Sequence, residues 1–296
     1  MASASALALT WPVMLAVLGG AVLHAGWNAL VKSSGDKELD TALVHFLGAV
    51  VALPLLFIVG LPPSAVLPFI AASLLIHVGY YIALAGAYQH GELGLTYPIM
   101  RGFAPLLVAL GSSAVLGEAP STLAWAGILG ITLGVAFVGL AHPGQTLHRG
   151  KALAFAFSNA LIIATYTFVD GKGVRETVAI GHSAATYVML LFVLDGLPYP
   201  SLVYFRRDGA GRRAILAYAR RRWPLAALGG AASIGSYAIA LWAMTVAPIA
   251  SVAALRETSV LFAALLGTWV LKEKFGLQRG VGTLVIVVGV IALRLG

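Results

Sequence analysis

Apolar residues run through the chain in blocks of about the 20 residues that an α-helix needs to cross roughly 30 Å of hydrocarbon. The blocks lie near 11–31, 40–60, 66–88, 93–116 and 121–141, then near 151–169, 178–198, 224–246, 248–271 and 277–295. Unpaired backbone groups are too costly in lipid for open strands, and no ten-residue alternation suggests a barrel. The pattern predicts an all-α integral membrane protein of ten transmembrane helices. The blocks also repeat. Tyr80-x-Ile-Ala-Leu84 returns as Tyr237-x-Ile-Ala-Leu241, each followed about twenty residues later by an arginine, Arg101 or Arg256. From those arginines forty residues align without a gap, pairing Glu118 with Glu273, Gly127 with Gly282 and Gly134 with Gly289. This predicts two five-helix repeats, 1–145 and 146–296. An odd number of crossings per repeat makes the second copy enter from the opposite side, so the repeats are expected to be inverted, with a substrate site where they meet.

Composition removes other classes. Hydrophobic residues make up 60% and charged residues 10%, with mean hydropathy +0.93, far from a soluble domain with about 25% charged residues. The absence of cysteine excludes disulfides, thiolate metal sites and thiol nucleophiles. Met1 to Thr10 lacks the basic start of a cleaved leader, so the first run is expected to be a retained helix. Of the 19 Lys and Arg residues, 14 follow the first, third, fifth, seventh and ninth runs, 3 (Lys172, Arg175, Arg294) lie on the other side and 2 lie within spans. The positive-inside rule then predicts both termini outside the cytoplasm. A basic loop at 199–223 would rest on anionic headgroups and carries most of the net charge of +8, with no nucleic acid implied.

An ionisable group inside a span costs at least about 2.5–3.5 kcal/mol and is a functional candidate by default. Arg101 and Arg256 sit about nine residues into the fourth and ninth spans. Two guanidinium groups converging on one cavity would favour an anion, because the planar fork matches carboxylate, phosphate or phosphonate oxygens. The alternative is that each arginine pairs with an acid, for which Glu257, Asp170 and Asp195 are available. Glu257 and His24 are the candidates for coupling to a proton. His45, His77 and His182 also fall within predicted spans. On the first helix His24, Trp27 and Asn28 share one face, and Tyr166 aligns with Trp27 in the other half. With His77, Tyr80, Tyr97 and Tyr237 these residues are expected to line the cavity. Pro98 and Pro105 flank Arg101 and predict a kink or unwound turn there. Glu118 and Glu273 read as structural acids at helix ends, and the glycines of the fifth and tenth helices as packing residues.

The ten spans, the paired repeats and the stretches Ala114-Val-Leu-Gly-Glu118 and Trp269-Val-Leu-Lys-Glu273 resemble the EamA type of the drug/metabolite transporter superfamily, over nearly the whole chain. Leu23-His-Ala-Gly-Trp-Asn-Ala-Leu-Val-Lys32 looks like a subgroup associated with phosphonate utilisation. The resemblance implies a secondary active transporter working by alternating access, moving a small metabolite through a central cavity. Many members of the family have cytoplasmic termini, against the charge count here. Combined with the arginines, the expected cargo is a small anion (an organic acid, phosphonate or amino-acid-like compound), driven by a proton or ion gradient. No cofactor is expected, and the protein is expected to be a monomer or homodimer in a prokaryotic inner membrane. A lipid or lipid-phosphate flippase is the alternative. With no HExxH, GxSxG or P-loop motif, an intramembrane enzyme is the least supported reading.

Overall fold

The computed structural model describes residues 7–90, 93–139, 150–269 and 276–296. In chain order the helices are α1 Trp11–Lys32, α2 Lys37–Val59, α3 Leu67–His90, α4 Leu93–Leu116, α5 Thr122–Gly139, α6 Gly150–Ala179, α7 Ala184–Asp195, α8 Pro198–Phe205, α9 Gly209–Val246, α10 Ile249–Arg256, α11 Ser259–Trp269 and α12 Leu277–Leu295. No strand occurs among the described residues. Among the described residues nine segments are long and apolar enough to span a bilayer, and the shorter apolar α5 makes a tenth. Segments α7–α8 and α10–α11 are the seventh and ninth spans, each interrupted once.

Local chemistry sets the helix ends. Asp36, Ser183 and Asp208 accept backbone N–H groups at the starts of α2, α7 and α9, at 3.0, 3.2 and 2.7 Å. Gly117, with φ +67°, ends α4 in the left-handed conformation that glycine adopts at little cost.

The best-packed pair is α5 against α12, and glycine makes it close. A Cβ on Gly134 would lie 2.9 Å from the Gly282 carbonyl oxygen, and one on Gly282 would lie 3.0 Å from that of Gly134. Gly127 and Gly289 oppose each other likewise, 2.7 and 2.9 Å from the partner's oxygen. Because Gly127 is the sequence mate of Gly282 and Gly134 that of Gly289, replacing each glycine of one contact by its mate gives the other contact, the reciprocity that a two-fold relation generates. The rest of the bundle follows suit. Helices α3 and α4 pack on α6, as α9, α10 and α11 pack on α1.

Two expectations are corrected. The segment expected as a basic loop at 199–223 is helical except around Arg206 and Asp208, because α9 begins at Gly209 and runs 38 residues. Its arginines are held by acids near the start of α2: Arg222 meets Asp40 at 2.9 Å and Arg207 meets Glu38 at 2.8 Å. The unwound turn expected beside Arg101 is absent, since α4 runs unbroken through Pro105. The break falls in the other repeat, at Glu257 and Thr258, where i→i+3 bonds keep the backbone satisfied without proline.

Candidate functional site

Arg101 and Arg256 meet. Both line a small chamber with Glu257, Tyr166 and Thr167, walled by apolar Ile163, Val108 and Ala253. It encloses about 10 Å³, room for about one water molecule. Arg101 projects from the middle of α4, whereas Arg256 is the last residue of α10 and Glu257 follows it in the helix break.

The two guanidinium groups have different surroundings. Arg101 Nε lies 2.8 Å from Glu257 Oε2, an ion pair whose side chains are 10% and 6% exposed. Its Nη2 lies 3.4 Å from His24 Nε2. Arg256 instead stacks over the Tyr237 ring, 4.9 Å from the centroid. Among the described residues Arg256 makes no ion pair with an acid. The chamber thus holds two cationic groups and one anionic group, with the excess charge on Arg256.

Aromatic and hydroxyl groups extend the site. His77 stacks on Tyr166 with ring centroids 4.4 Å apart, and Tyr80 meets Tyr166 edge-on at 6.3 Å. Tyr237 donates its hydroxyl hydrogen to Asp170 at 2.6 Å. Trp27 stands edge-on to His24 at 5.3 Å, and its buried Nε1 has no hydrogen-bond partner among the described residues. Asn28 turns back on its own helix, donating to the His24 carbonyl at 2.8 Å, and neither it nor His24, Trp27, His77, Tyr80 or Tyr237 is among the residues that line the chamber itself. The side chain of Tyr97 lies outside the described residues, as does Glu273. His182 is not within a span: it is exposed in the turn between α6 and α7.

Sequence reasoning missed three contributors. Asp170 entered it only as a partner for an arginine, but Tyr237 and Tyr187 hold its carboxylate. The signal was available, since Asp170 follows Tyr166 and Thr167 at i+4 and i+3 on one face of α6. Thr167 adjoins Tyr166 in sequence and was not among the residues expected to line the cavity. Arg175 was counted as a loop charge; in fact it is latched near the end of α6. Its guanidinium pairs with Glu118 and donates to the carbonyls of Met244 at 2.6 Å and Ala247 at 3.0 Å. Glu118 in turn accepts the Ile249 N–H at 3.0 Å, capping α10 rather than the helix that follows it in sequence. This cluster ties α4, α6, α9 and α10 at one end of the bundle. Asp40, Arg222 and Tyr218 tie α2 to α9 at the other end.

The polar chamber thus lies in an apolar bundle tied by ion-pair clusters at both ends, and comparison with known proteins gives its family. The model of the EamA-like transporter family matches residues 150–295. Residues 150–295 belong to the EamA-like transporter family. The match covers residues 150–295, and the glycine contacts pack α5 of the preceding half against α12 within it. A solved crystal structure, 16% identical over 96% of each chain, shares the fold with a TM-score of 0.72. No match was found among curated proteins. This EamA-type protein is therefore an integral membrane protein of a transporter family.

Proposed function

We propose that the protein is a secondary active carrier of a small organic anion, which binds at Arg256 in the chamber between two inverted repeats and crosses by alternating access. The observation that carries this reading is the charge difference between the matched arginines. Glu257 pairs with Arg101, whereas Arg256 has an aromatic face below it and makes no ion pair with an acid among the described residues. A half-buried guanidinium that makes no ion pair with a carboxylate among the described residues suits a carboxylate, phosphonate or similar oxyanion. Tyr166 and Tyr237 flank the position and would pack the carbon skeleton of the cargo. A chamber of about 10 Å³ holds no organic molecule, so the helices must part on one side to admit it. The latches at Glu118–Arg175 and Asp40–Arg222 are the contacts that would open in turn. The loop charges favour termini outside the cytoplasm and, with a proton or ion gradient as the drive, a prokaryotic inner membrane.

A lipid flippase would need an apolar channel leading to the cationic site. The large apolar groove, about 590 Å³ between α6, α7 and α9, is lined by Val178, Val188 and Trp242 and contains neither chamber arginine. This favours a water-soluble cargo. The test is thermal stabilisation of the detergent-purified protein by methanesulfonate, acetate and methylphosphonate, against acetamide and methylamine as neutral and cationic controls. The anions are expected to raise the melting temperature and Arg256→Gln to abolish the effect while still folding. Stabilisation that persists in Arg256→Gln, or that follows methylamine instead, would remove the anion site from this position.

A further inference from the structure

Asp170 is completely buried in α6, on the face that Ile163, Tyr166 and Thr167 present to the chamber. Two hydroxyl groups hold its carboxylate: Tyr187 of α7 donates to Oδ1 at 2.9 Å and Tyr237 of α9 donates to Oδ2 at 2.6 Å. Ser73 and His77 of α3 face it from a third side. His77 Nδ1 lies 2.8 Å from the Ser73 carbonyl. A carbonyl only accepts, so Nδ1 carries the hydrogen. No Lys or Arg lies within ion-pair distance of Asp170 among the described residues, and Lys172, two residues on, faces Phe69 instead. A carboxylate kept inside a membrane bundle without a cationic partner is costly, and it marks a working group rather than a structural one.

The position of Tyr237 gives that group a task. Its hydroxyl touches Asp170, which pairs with no Lys or Arg among the described residues, and its ring touches Arg256, which makes no ion pair with an acid among them. We propose that Asp170 is the proton-binding group of the carrier, and that Tyr237 couples it to the anion at Arg256, so that the proton and the anion each promote the binding of the other. The proposal rests on the anion reading above. Protonation at Oδ2 neutralises the carboxylate. The new hydrogen lies toward the Tyr237 oxygen, which changes from donor to acceptor and turns its own hydrogen away. Arg256 is then the only uncompensated charge in the site and attracts the anion.

Charge balance supports the scheme. Arg101 and Glu257 cancel. The empty site holds Asp170⁻ and Arg256⁺, and the loaded site holds neutral Asp170, Arg256⁺ and the bound anion. Both states are neutral, so empty and loaded carriers can reorient without moving net charge through the membrane potential. A carrier with a neutralised Asp170 would have a charged empty state.

Calorimetric titration with methanesulfonate, singly charged throughout, at pH 6 and pH 8 tests the coupling. The wild type is expected to bind at least about fivefold more tightly at pH 6, within the ordinary range of site–site coupling. Asp170→Asn, a mimic of the protonated acid, should bind equally at both pH values and about as tightly as the wild type at pH 6. Tyr237→Phe keeps the ring under Arg256 and should shrink the pH ratio, which serves as the readout if Asp170→Asn does not fold. Arg256-dependent binding that is the same at both pH values overturns the coupling and leaves the anion site standing. A pH dependence that survives Asp170→Asn, or survives undiminished in Tyr237→Phe, also overturns it, as does one that vanishes only in His77→Gln or Glu257→Gln. A wild type that binds methanesulfonate at neither pH overturns both readings.

Discussion

Arg101 and Arg256 occupy matched positions in the two repeats, and the scaffold around them is built reciprocally. Gly127 and Gly134 of α5 meet Gly289 and Gly282 of α12 backbone to backbone. The charges do not follow this symmetry. The first repeat has Gly102 where the second has Glu257, and that one acid leans across to Arg101, 2.8 Å away, rather than toward its own neighbour. Consecutive residues on a helix point about 100° apart, so Glu257 and Arg256 diverge as they leave α10. One arginine is thereby paired with an acid, and the other stacks on Tyr237 without an ion pair among the described residues. A two-fold scaffold can carry an asymmetric function when a single residue breaks the match.

Three experiments would break or sharpen that contrast. The largest effect is expected from Glu257→Leu, which leaves Arg101 buried without its counterion at a cost of roughly 3–5 kcal/mol. Thermal denaturation should show the loss, and Arg101→Gln added to Glu257→Leu should recover part of it; no recovery would mean that the pair is not what holds the site together. Next, Gly134→Ala and Gly289→Ala force a Cβ against facing backbone and should each cost about 1–3 kcal/mol. As sequence mates they should cost similar amounts, and a strongly unequal pair would deny the reciprocal packing. The smallest effect belongs to the double change Arg101→Gln and Glu257→Gln. It preserves the net charge of the chamber, so the affinity for methanesulfonate should stay within about threefold, or ~0.6 kcal/mol; a collapse of binding would move the anion site to Arg101.

Much of this contrast was legible in the chain before any coordinates. The gapless alignment from Arg101 and Arg256 gave the repeats, and an arginine inside an apolar run is conspicuous because insertion makes it costly. Glu257 was visible as a candidate partner, although its role as Arg101's counterion was not. Asp170 was less legible. It belongs to no motif, and nothing in its neighbourhood on α6 indicates that hydroxyls from α7 and α9 converge on it. The Pro98–Pro105 bracket misled, because proline at a helical position signals a possible break, while the break itself went where Glu257 and Thr258 find i→i+3 bonds. Glu118 was read as an acid at a helix end, but its target, the start of α10, lies 131 residues further on.

The sequence by itself determined the environment, the all-helical architecture, the number of spans and the pairing of the two halves. These follow from hydrophobicity summed over twenty-residue windows and from direct self-similarity, both properties of the linear chain. Only the tertiary structure decided which charge faces which. Side-chain pairing depends on helix rotation and on approaches of a few ångströms between segments remote in sequence, as where Glu257 selects Arg101 and where Tyr237 stands between Asp170 and Arg256.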